Sequence, residues 1–82
     1  MLFNNNVIKP YITASEMMNA LGQEMFLKAM TICEEDSLPN KRLVKEIVDP
    51  SHAHLQNVLD RHIEPAYFAY IIEYYYLLSK KD

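Results

Sequence analysis

The sequence predicts an all-α fold: a compact bundle of about four helices with an extended N-terminal arm. Three observations carry this. Apolar residues recur at helical spacing from residue 14 to about residue 34, and again near the C-terminus. Helix-start chemistry precedes each candidate segment, as a capping box once and as Pro at the first turn three times. No hairpin signal and no strand–helix alternation is present, and the chain holds a single Gly. With 82 residues the chain makes one domain, 1–82, an arm over 1–12 followed by a helical bundle over 13–82.

The arm begins Met1-Leu2-Phe3-Asn4-Asn5-Asn6, where the three Asn disfavour regular structure, and Pro10 pushes Lys9 toward extended geometry. This start has no basic segment before an apolar run, so no secretory signal is expected. Thr13 and Glu16 then form an S/T-x-x-E capping box, with Ile12 and Met17 placed as a hydrophobic staple. The helix they open is expected to run to about residue 34. Met18, Leu21, Met25, Ala29 and Ile32 form its apolar seam, and Met17, Phe26, Met30 and Cys33 flank it. Gly22 lies inside this helix, where glycine is disfavoured by about 1 kcal/mol relative to Ala. It marks either a close approach by another helix or a tolerated glycine.

Glu34-Glu35-Asp36 ends that helix as a solvated turn or as an acidic contact patch. Leu38-Pro39 opens a short helix with Leu43, Val44, Ile47 and Val48 inside and Lys41, Arg42 and Lys45 outside. Those cations are in reach of the acidic turn. Asp49-Pro50 repeats the cap-and-Pro pattern and starts a third helix over about 51–62, with Ala53, Leu55, Val58, Leu59 and Ile63 as its buried set. Glu64-Pro65 starts the last helix, to about residue 79.

The last helix is apolar nearly all round. Phe68, Ile71, Tyr75 and Leu78 form an ordinary core face opposite Glu73. Ala66, Ala69, Tyr70, Tyr76 and Leu77 lie beside Glu73, where a wet face belongs. Either this helix is central to the bundle or its second face meets another chain. The expectation is the second: Ala66, Ala69, Tyr70, Glu73, Tyr76 and Leu77 are the candidate protein interface, and the chain is expected to self-associate, a dimer being favoured.

Composition narrows the function classes. Net charge is −3 with no basic surplus, so nucleic-acid binding lacks electrostatic support. A helix-turn-helix can be drawn through 41–59, but Asp60 beside Arg61 and the charge balance weigh against it. No apolar run reaches the ~18–20 residues of a membrane span, so no membrane insertion is expected. Cys33 is the only cysteine, which excludes an internal disulfide and favours a reducing cytoplasm. His52 and His54 point apart on a helix, and His54 and His62 are two turns apart, so no metal site is expected. No catalytic pairing, phosphate loop or cofactor motif is present, and the chain is expected not to be an enzyme.

The passages Val7-Ile8-Lys9-Pro10-Tyr11-Ile12-Thr13-Ala14-Ser15-Glu16-Met17-Met18 and Asn40-Lys41-Arg42-Leu43-Val44-Lys45-Glu46, with the length and character of the whole chain, resemble small early proteins of T-even-type bacteriophages. The likeness is to the lysis-inhibition accessory family, the cytoplasmic antiholins. That resemblance implies a non-enzymatic protein of the host cytoplasm that binds the cytoplasmic part of the phage holin and delays lysis. It carries no functional residue over. The rival readings are a phage factor that binds host transcription machinery and a small DNA-binding regulator.

Overall fold

A computed structural model describes residues 11–80. Within them the fold is all-helical: α1 Ala14–Leu21, α2 Gln23–Glu35, α3 Asn40–Leu43, a π-helical segment Val44–Val48, α4 Asp49–Leu59 and α5 Pro65–Lys80. Because α3, the π segment and α4 form one unbroken rod, the described residues make four helical units. Apart from Tyr11 and Ile12, the expected arm lies outside the described residues.

The capping box forms as the sequence predicts. Thr13 N–H donates to Glu16 Oε1 at 2.9 Å, and Glu16 N–H donates to Thr13 Oγ1 at 3.1 Å. Ile12 and Met17, the staple pair, are both buried in the core. Tyr75 Oη donates to Ile12 O at 2.8 Å and so ties the start of the bundle to α5.

The first expected helix is two helices. Gly22 adopts φ 83°, ψ 161°, a backbone region closed to residues with a Cβ. The hydrogen bonds continue across the joint: Gly22 N–H donates to Met18 O and Phe26 N–H to Gly22 O, each at 2.9 Å. Nothing lies within 4 Å of where a Cβ would stand, so the glycine serves the turn and not a close approach. The joint re-phases the chain. Met17 is buried on α1 and Met18 is exposed, the reverse of the expected seam.

The second and third expected helices are one. Asp49 is helical, not a cap, and Asp49 N–H donates to Val44 O, five residues back. The cause is Pro50, which lacks an N–H and whose ring would crowd the Glu46 carbonyl in a regular α-helix. The wider π turn absorbs both defects before the proline is reached. Leu43, Ile47 and Val48 are buried on this rod, and α5 packs along α3 and the π segment. On α4, Leu55 and Leu59 are buried as expected, and so is Ile63 just after it. Ala53 and Val58, also expected inside, are exposed.

α4 stops at Asp60, which takes the left-handed conformation at φ 54°. The connection to α5 is held by α4 itself. His52 Nε2–H donates to Ile63 O at 2.6 Å, and Ile63 N–H donates to Gln56 Oε1 at 3.0 Å. α1 packs on α4 and α2, and α2 packs on α5, so α1, α2 and the C-terminal half of α5 form three walls around a shared space.

Candidate functional site: an apolar groove

That shared space is a groove of about 300 Å³. α1 lines it with Ala14, Met17 and Met18, α2 with Phe26 and Met30, and α5 with Tyr75, Leu78 and Ser79. A second hollow of about 510 Å³ continues it across the Gly22 joint, sharing Met18 and Phe26 and adding Asn19, Gln23 and Leu27. No lining residue of either hollow is charged. Three exposed apolar side chains stand around them: Met18, 46% exposed, Leu27, 55%, and Leu78, 50%. The helices place them there by spacing. Phe26 and Met30 are one turn apart on α2, as are Ala14 and Met18 on α1, while Tyr75 and Leu78 end the α5 stripe.

The interface expected on α5 is placed differently. Ala69 is fully buried, so it belongs to the core. Asn40 Nδ2 donates at 3.4 Å to both Glu73 Oε1 and Ala66 O, which lays α3 against this face. Burial pushes the Glu73 carboxyl above its usual range, partly offset by Asn40. Tyr76 Oη donates to Glu34 Oε2 at 2.7 Å, and Lys80 Nζ meets the same oxygen at 2.7 Å, with its ammonium 5.6 Å from the Tyr76 ring centroid. Tyr70 is half-buried and stacks on Tyr67, which in turn stacks on Tyr11. Only Ala66 and Leu77 of the six are exposed. Asn40 of α3 and Glu34 at the end of α2 lie against part of this face, where Tyr70, Glu73 and Tyr76 are partly buried.

The charged clusters are also spoken for. Glu34 pairs with Lys80, Arg42 bridges Glu35 at 3.3 Å and Glu46 at 3.0 Å, and Asp36 Oδ1 accepts the Leu38 N–H at 3.1 Å. Of the three cations expected near the acidic turn, Arg42 reaches it. Arg61 joins Glu16 at 3.3 Å and lies 5.3 Å from the Tyr11 ring centroid. Each of these pairs is exposed enough that solvent screening leaves it little net weight in stability.

The remaining chemistry-bearing side chains are dispersed. His52 is held by Ile63 O, and exposed His62 lies 3.8 Å from Glu64. Among the described residues no three His, Cys, Asp or Glu side chains are grouped to hold a metal. Cys33 is buried, and its thiol is pushed up to about 11 by burial first and by Glu73 and Glu34 second. Among the described residues no helix is long and apolar enough to cross a membrane.

No family model, curated protein or solved structure matches the chain.

Sequence reasoning missed the groove because it treated residues 14–34 as one straight helix. On such a helix Met18 falls on the seam and Phe26 and Met30 on its flank. The available signal was Gly22 itself, the only glycine, in the middle of that run.

Proposed function

We propose that this chain is a non-enzymatic regulatory protein that works by binding another protein through the α1/α2/α5 groove. The observation that carries this reading is the groove's character: uncharged, open, and lined by three Met and two aromatic rings. Methionine is unbranched and polarizable, so a Met-lined groove adapts to an apolar helix laid into it. Exposed apolar side chains clustered around a hollow mark an interaction surface, whereas scattered ones do not.

The resemblance of the sequence to cytoplasmic antiholins supplies the class of partner. On that reading the protein resides in the host cytoplasm, the groove takes an apolar segment of the cytoplasmic part of a phage holin, and its capture delays hole formation. Mixing the protein with a soluble holin fragment tests this by calorimetry. Micromolar or tighter binding that is weakened at least tenfold by Phe26→Ala supports the reading, and no heat of binding sinks the partner assignment. Co-purification from host lysate separates the rival reading, under which RNA polymerase subunits are the proteins recovered.

A further inference from the structure

We draw no further inference here: the strongest candidate, the hollow of about 200 Å³ between the end of α2, Pro39 and α5, rests on an acidic pair, Asp36 and Glu73, and the lone Cys33, and with Asp36 accepting the Leu38 N–H and Glu73 met by Asn40, nothing among the described residues points to a ligand there.

Discussion

Glu73 shows how one residue reads both ways. Its carboxyl is half-buried between α5 and α3, where burial raises its pKa and the single Asn40 contact only partly compensates. A carboxyl whose pKa is raised on folding binds its proton more tightly in the folded state. Its contribution to stability is greatest below the unfolded pKa and is lost as pH rises through the folded one. Glu73→Gln removes the charge and keeps an oxygen for Asn40. Thermal unfolding should show the variant more stable than the parent near pH 7, with the difference shrinking toward pH 4. An unchanged gap between the two pH values would show that Glu73 carries no such penalty. Cys33 gives an independent reading of burial. With its thiol near 11, the reactive thiolate is ~100-fold scarcer near neutral pH than in a free cysteine. Alkylation should be correspondingly slow in the native protein and fast in denaturant; equal rates would place Cys33 at the surface.

Among the elements, the two joints matter most. Gly22 breaks one apolar run into α1 and α2, and Pro50 sits inside a rod that its own chemistry seemed to divide. Gly22→Ala forces a Cβ into φ 83°, ψ 161° and should destabilise by ~1–3 kcal/mol. Urea unfolding measures this, and a neutral result would mean that the joint adopts another conformation. Asp60→Gly relieves the left-handed position that ends α4 and should stabilise by about 0.5–1 kcal/mol in the same assay.

These joints also mark where sequence reading stops. Local chemistry was readable: Thr13 with Glu16, the start of α5 at Pro65, and the burial of Leu43, Ile47, Leu55 and Phe68 follow from spacing and capping. The Gly22 break was not, because a tolerated glycine and a positive-φ glycine look alike in a helical run. Nor was the continuity through Pro50, since Asp-Pro is equally a helix start and a proline taken up by a π turn. The groove follows from both joints. Once α1 and α2 part at Gly22, Met18, Phe26 and Met30 line a groove. Once 40–59 is one rod against α5, Asn40 and the end of α2 reach part of the α5 face that was expected to be an interface.

For the whole molecule, the balance is between a small core and an open groove. A domain of this size buries only about 60% of its unfolded-chain surface, so an apolar hollow left uncovered is a feature to explain. Here the lining carries no charge, Glu16 and Glu34 nearby are paired with Arg61 and Lys80, and the lining is adaptable, which suits the binding of an apolar helix. On the proposed reading, this groove receives the partner. The most direct test is a methyl NMR titration of the protein labelled at its Met methyl groups, with a soluble holin fragment added. Met17, Met18 and Met30 line the groove, and Met25 packs against the core away from it. The expected result is saturable shifts of the Met17, Met18 and Met30 methyl signals with Met25 unmoved. Unperturbed groove methyls on addition of a fragment that binds would contradict the claim.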